Sequence, residues 1–391
     1  MRQFGNPLVN AMDMSHFYVI TVISNPIRYQ SRIALFEQFR QHIKDLGGNL
    51  IVVELAYGNR PFAITNPYKH FINQTYDPAS LPQLHNNMPV QNSNPDLSEN
   101  HNVYQLRKNP LRTSAIWAND HHERPKLKEY HIQYRTEDEL WHKENMINLA
   151  INQLNFIDPK WEAVAWVDAD VHFQRPDILL ETKQQLEHYD FVQMFSQAMD
   201  LGPEGESFRE YSGFIKAWID SGRKPPQGSG YTVYYGGDGP TKYWHSGYCW
   251  AGRRRALEKV MLLDKAICGA ADHHMAMALI GCSEKSIPGT MQGAYRDYIE
   301  AWQELASSSV RQNVGFVPGL VTHYWHGKKI NRKYNDRWAI LNKNQFNPYT
   351  DIMPDAQGIY RLASHYGKRS IDLRDDLREY FRARAEDSID M

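Results

Sequence analysis

Asp168-Ala169-Asp170 follows directly on Ala163–Val167, a short run that is apolar on both sides and reads as a central strand. Two carboxylates at i and i+2 where a buried strand meets a loop can hold a hard divalent cation through oxygen ligands. Mg²⁺ or Mn²⁺ held there can bridge the oxygens of a diphosphate and neutralise charge on it as it departs. The tripeptide alone is also common as a pair of turn or capping carboxylates, so its place at a strand end carries the reading.

A second chemical segment is His323-Tyr324-Trp325-His326-Gly327-Lys328-Lys329, which follows the apolar stretch 319–322. Neutral imidazole together with carboxylates and diphosphate oxygens suits Mn²⁺. Strand alternation would put His323 and Trp325 on one face and Tyr324 and His326 on the other, so one histidine is expected to be the ligand. Lys328, Arg332 and Tyr334 would then reach a diphosphate, with the lysine acting as a point charge; a basic surface loop is the plainer account.

The elements that must position these groups read as an α/β pattern. Phe17–Ile23 is a strand ended by Ser24-Asn25-Pro26. A helix follows with Ile33, Phe36, Phe39 and Ile43 on its apolar face, closed by Gly47-Gly48. Leu50–Val53 is a second strand, which completes a βαβ unit with a right-handed crossover. Residues 59–128, rich in Asn, Pro, His and Gln, read as an irregular insertion. His131–Tyr134 is a strand, and Thr136 with Glu139 forms a capping-box pattern for a helix carrying Leu140, Ile147, Ile151 and Leu154. Residues 203–240 read as a flexible loop, Gly247–Ala251 as a strand, 253–263 and 272–280 as helices, and Gly319–His323 as the last strand. The tail, 366–391, reads as a charged helical extension forming a solvated cap.

Fold pattern and motif together resemble the GT-A class of glycosyltransferases, whose Asp-x-Asp follows a central strand of a Rossmann-like nucleotide-binding half. The stretches 140–148 (Leu-Trp-His-Lys-Glu-Asn-Met-Ile-Asn) and 166–173 (Trp-Val-Asp-Ala-Asp-Val-His-Phe) resemble glycosyltransferases often encoded by bacteriophages. The resemblance spans residues 15–365. It implies a mostly parallel sheet flanked by helices, with Asp168, Asp170 and a late histidine holding Mn²⁺ or Mg²⁺. Such motifs place the histidine at the strand end, which favours His323, while the glycine after His326 keeps that residue in play.

By the same resemblance Thr21, Ser24, Arg28 or Arg32, and Glu54 hold the base and ribose of a nucleotide sugar, UDP-sugar above all. Glu54 reads equally as the partner of a nearby arginine. Lys143 or Asn148 would reach the donor sugar. Cys268-Gly269-Ala270-Ala271-Asp272-His273-His274 resembles the turn before a helix in inverting members of the class, which makes Asp272 the base on the acceptor hydroxyl. The family commonly shows Glu-Asp where this chain has Ala271-Asp272, and an N-cap role for the aspartate is equally open. Trp244, His245, Gly247 and Trp250 look like the segment beneath the donor sugar, with Gly247 allowing close backbone approach. His273 and His274 read as surface or acceptor contacts, and Trp250 reads equally as core.

Composition bounds the rest. Forty-four Lys+Arg against 45 Asp+Glu gives no bulk basic excess for nucleic acid, although Arg253–Arg255 and 328–337 offer a local groove for DNA phosphates. Phage-type relatives make a hydroxymethylated DNA base one expected acceptor and a cell-surface or capsular glycan the other. Three cysteines without paired spacing fit a reducing compartment. No apolar run reaches the ~20 residues of a membrane span, and no secretion signal is evident, so a cytoplasmic protein of a bacterial or viral setting is expected. Two competing functions remain: a non-catalytic sugar- or nucleotide-binding protein on the same fold, and a metal-dependent phosphodiesterase, which would show a denser His/Asp cluster.

Overall fold

The computed structural model describes residues 13–64, 129–228, 243–334, 336–363 and 367–389. Most of the expected insertion, and residues 229–240 of the expected loop, therefore lie outside the described residues. In chain order the elements are β1 (Phe17–Ser24), α1 (Gln30–Asp45), β2 (Asn49–Tyr57), β3 (Glu129–Thr136), α2 (Lys143–Ile157), β4 (Ala163–Val167) and β5 (Val171–Phe173). There follow α3 (Ile178–Gln185), β6 (Phe191–Gln193), β7 (Gln197–Leu201), β8 (Ser207–Gly213), α4 (Phe214–Asp220), β9 (Trp244–His245), β10 (Cys249–Arg253) and α5 (Arg254–Leu257). The last part holds α6 (Ala271–Leu279), α7 (Ala294–Ser309), β11 (Val314–Phe316), β12 (Leu320–His323), α8 (Asp336–Lys343), β13 (Ile352–Pro354), β14 (Tyr360–Leu362) and α9 (Lys368–Arg382).

Seven strands form one sheet in the order β11-β6-β10-β4-β1-β2-β3, and β10 alone runs against its neighbours. The mostly parallel α/β architecture therefore stands. Side chains alternate across β1. Phe17, Val19 and Ile23 pack toward Phe36, Phe39 and Ile43 of α1, while Tyr18 and Ile20 join the layer containing Met146, Ile147, Ile151 and Leu154 of α2. All five residues of β4 are buried, as a strand covered on both faces requires.

After β1 the chain lays β2 and β3 on one side and then returns to place β4 on the other. That reversal opens a crevice at the carboxyl ends of β1 and β4, the edge where open α/β sheets receive ligands. A second sheet, β5-β12-β7-β8-β9, stands beside it. It delivers the end of β12 to the Asp168–Asp170 loop, because His323 pairs with Val171 on one side and with Asp200 of β7 on the other.

Several local expectations are corrected. Thr136 ends β3 and does not cap α2; the helix begins at Lys143, where His142 offers no side-chain cap. The expected 253–263 helix stops after one turn. Beyond it, Asn148 accepts from Leu262 N (3.0 Å) and donates to Leu262 O (2.9 Å) and Asp264 (3.1 Å), which satisfies irregular backbone. The stretch read as a flexible loop contains β8 and α4. The tail is not a solvated cap, since Leu373, Leu377, Tyr380 and Phe381 of α9 are buried. No described helix is long and apolar enough to cross a membrane.

Asn148 is therefore a structural residue. Asn148→Ala leaves both polar groups of Leu262 unsatisfied in the interior and is expected to cost about 2–4 kcal/mol of stability in urea unfolding. A loss below about 0.5 kcal/mol would contradict this assignment.

Candidate functional site

A cavity of about 1190 Å³ opens at the carboxyl edge of β1 and β4, and Asp168, Asp170, His323 and His326 all line it. The Asp-x-Asp loop is pinned from both sides. Asp168 N donates to Tyr248 O (2.9 Å), and Tyr324 N donates to Asp170 O (2.8 Å). The sharp turn that brings Tyr248 there places this non-glycine residue at φ 74°.

Asp170, His323 and His326 offer one ligand atom each, all within 4.8 Å of one another. His326 Nε2 lies 3.0 Å from Asp170 Oδ2, and His323 Nε2 lies 3.8 Å from Oδ1. Both histidines converge on Asp170, so they do not lie on opposite faces as strand alternation would have it. β12 ends at His323, so strand alternation stops there and the following loop turns His326 back toward its neighbour, with the two Nε2 atoms 3.1 Å apart. Asp168 stands apart from this group and pairs with Lys143.

One carboxylate and two imidazoles are a donor set of the kind that transition-metal dications take. Asp170 Oδ1 is buried without a hydrogen-bond partner, an orphan that a ligated ion would satisfy. His323 is fixed from behind, its Nδ1 facing Asp200 Oδ1 at 2.9 Å, which leaves Nε2 toward the cluster. Burial pushes the His323 imidazole down, toward the neutral form that ligates. Burial also acts to raise the Asp170 carboxyl, but His326, His323 and Arg32 together hold it far below the usual range.

Asp200 escaped the sequence reading. It is buried on the same face of β7 as Ala198, where it also accepts from Tyr248 OH (2.6 Å) and pairs with Lys329. A carboxylate on the buried side of a short strand was the available signal, because a buried charge requires partners. Lys329, rather than Lys328, faces the cavity. Residues 329–332 form a 3₁₀ turn in which i and i+3 eclipse, so Lys329 and Arg332 project together while Lys328 caps the turn. Arg332 donates to His326 Nε2 (2.9 Å) and to Tyr334 OH (3.0 Å).

Of the remaining expected donor contacts, Ser24, Arg32 and Lys143 line the cavity. Thr21 does not; its hydroxyl is spent on Val167 O (2.9 Å) inside the sheet. Arg28 is exposed beyond the lining. Glu54 is also outside it, buried where it accepts from Ile64 N (3.2 Å) and Gln133 (3.3 Å), with His131 at 3.4 Å. Among the described residues its partners are backbone amides, Gln133 and His131, and no arginine.

The lining also includes Asp272, in the first turn of α6, which Ala270 opens at φ 82°. The N-cap is Ala270, so Asp272 is freed from that role, and its carboxylate makes no hydrogen bond or ion pair among the described residues. Gly247 lies against it: a Cβ there would stand 2.6 Å from Asp272 Oδ2. His245 stacks on Tyr248 with centroids 3.9 Å apart, and its imidazole is pushed down by burial to about 3. His273 lines the same cavity, likewise pushed down by burial to about 4. His274, in contrast, is core, bonded to Ser286 (2.7 Å) and Tyr295 (3.2 Å). Trp244 and Trp250 are core as well; Trp244 meets Phe214 edge-on, and Trp250 donates to Ser246 O.

The expected Arg253–Arg255 groove is occupied by acids. Arg253 pairs with Glu187, Arg254 with Glu258 and Arg255 with Asp190. The three cysteines are free and buried.

No family model matches this chain, and no curated protein does. Among solved structures it is similar to one from Desulfovibrio desulfuricans G20, named as a candidate nucleotide-diphospho-sugar transferase. The match covers 94% of this chain and 99% of that chain at 10% identity, with a TM-score of 0.29. A superposition that loose carries no inference about activity.

Glu144, beside Lys143 in the lining, has its carboxyl pushed by burial up to about 7. Between about pH 4.5 and 7 the unfolded chain loses this proton while the folded one keeps it. Stability therefore falls as pH rises through that window and levels off above it. Glu144→Gln should match wild type near pH 4 and exceed it by up to about 3 kcal/mol near pH 8 in denaturant titrations. Parallel curves for the two proteins would contradict this.

Proposed function

We propose that this protein is a metal-dependent, inverting glycosyltransferase of the GT-A type. It would move a sugar from a nucleotide-diphosphate donor, UDP-sugar first, to an acceptor hydroxyl. The observation that carries the reading is the convergence of Asp170, His323 and His326 in the lining of a large cavity that also holds Asp272, whose carboxylate makes no hydrogen bond or ion pair among the described residues. A Mn²⁺ or Mg²⁺ ion on the first three residues would supply charge neutralisation to the diphosphate.

The rest of the lining serves the remaining steps. Arg32, Lys329 and Arg332 lie at the same end of the cavity and are placed to hold diphosphate oxygens. Asp168 with Lys143 borders the donor end. Asp272 accepts the proton of the acceptor hydroxyl as its oxygen bonds to the anomeric carbon. The bond from that carbon to the diphosphate breaks on the opposite face, and its electron pair leaves with the nucleotide diphosphate. Gly247 keeps room for that carboxylate.

The acceptor would enter beside Asp272, walled by Trp141, Tyr243 and His273. Aromatic faces suit a sugar ring or an extruded base. With Arg253–Arg255 committed to acids, a glycan hydroxyl is favoured over a hydroxymethylated base of phage DNA. A non-catalytic binding protein would not need a free carboxylate held against a glycine.

Purified protein with Mn²⁺ and a panel of UDP-sugars should release UDP, slowly to water and faster when the right acceptor is added. Asp170→Ala and excess chelator should each abolish release, and full turnover under chelator would overturn the proposal. If DNA is the acceptor, binding should weaken steeply with salt. Gly247→Ala should lower kcat by about tenfold or more at little cost in stability, because only the far end of Asp272 must move; unchanged kcat would remove Asp272 as the base.

A further inference from the structure

Residues 384–388, in the stretch read from sequence as a solvated cap, lie against the candidate metal centre. Glu386 is 2% exposed and pairs with Arg32 and Arg384, the latter through Arg384 Nε to Oε1 at 2.6 Å. Its Oε2 lies 3.7 Å from His326 Nδ1, beyond hydrogen-bond distance, and a guanidinium nitrogen of Arg332 stands 3.4 Å from the same Nδ1. The strap is fastened on both sides of that histidine. Trp325 Nε1 donates to Ser388 O (2.8 Å). Gly327, at φ 84°, lies under the strap so closely that a Cβ would stand 2.7 Å from Ala385 O.

The far end of the strap is anchored as firmly. α1 has no side-chain cap of its own and no acid in its first turn. Asp387 supplies both from a distance: its carboxylate accepts from Gln30 N (3.0 Å), Ser31 N (2.9 Å) and Ser31 Oγ (2.7 Å). Arg32, one turn into α1, then reaches Glu386. A buried carboxylate with two guanidinium partners, set behind a ligating imidazole, is the arrangement that orients a ring and raises its basicity.

We propose that this strap is part of the metal centre, with Glu386 as a positioning carboxylate that acts on His326 through charge and through its pairing with Arg32, where Asp200 holds His323 by direct contact. The inference rests on the metal reading of Asp170, His323 and His326. It makes the site a joint product of the sheet edge and a segment more than sixty residues beyond β12.

Mn²⁺ binding, measured by EPR of the free ion, and the number of imidazole nitrogens on bound Mn²⁺, measured by pulsed EPR, test it. Wild type should bind with two imidazoles. Glu386→Gln should weaken binding by about 10- to 100-fold and reduce the coupled imidazoles toward one. Trp325→Phe leaves every charge in place and only unfastens the strap; it should weaken binding severalfold, and it decides the matter if Glu386→Gln fails to fold. Folded variants with two imidazoles and affinity within twofold of wild type would overturn the strap's role and leave the metal reading standing. Wild type that binds no Mn²⁺ would overturn the metal reading, and the strap proposal with it.

Discussion

One carboxylate and two imidazoles are held within a single ligand sphere beneath the carboxyl edge of a parallel sheet, and the organisation of the cavity follows from keeping them there. Removing such groups from water costs several kcal/mol each unless they are paired. The fold meets that cost with further partners: Asp200 behind His323, Glu386 toward His326, and Arg332 against His326 Nε2. Asp170 Oδ1 still lacks a partner. Arg332 Nε, beside it, lacks one too, so the cluster keeps unspent polar capacity in its buried interior.

Holding this arrangement requires backbone that ordinary side chains avoid. Tyr248 and Ala270, both in the lining, sit in the left-handed region. Such positions cost on the order of 1 kcal/mol each and persist only where surroundings fix them. Tyr248 is fixed through its carbonyl, which accepts from Asp168 N, and its hydroxyl, which donates to Asp200. Ala270 places Asp272 in the first turn of α6 with no capping duty, directly against Gly247. The strained residues thus link the candidate metal group to the candidate base across the cavity.

Much of this was legible in the sequence. A strand apolar on both sides, running into Asp168-Ala169-Asp170, located the sheet edge, and β12 located His323. What misled was the extension of local periodicity past the end of its element. Strand alternation separated His323 from His326, yet β12 stops at His323. Lys328 was expected to reach the cavity with Arg332, yet the segment forms a 3₁₀ turn that brings Lys329 there instead. Polar residues at strand ends and on α2 were read as ligand contacts, whereas Thr21, Glu54 and Asn148 satisfy backbone groups or side chains of the fold. For Asp200 local pattern offered only a carboxylate on the buried side of a short strand; the partners of Asp200 and Glu386 come from pairing between segments 123 and 60 residues apart in the chain.

Anomalous diffraction at the manganese edge, from crystals grown with Mn²⁺ and UDP, addresses the central claim most directly. The account predicts one strong peak bonded to Asp170, His323 and His326 and to diphosphate oxygens. A strong peak elsewhere with density for UDP outside this cavity, or no peak at these three residues, would contradict it.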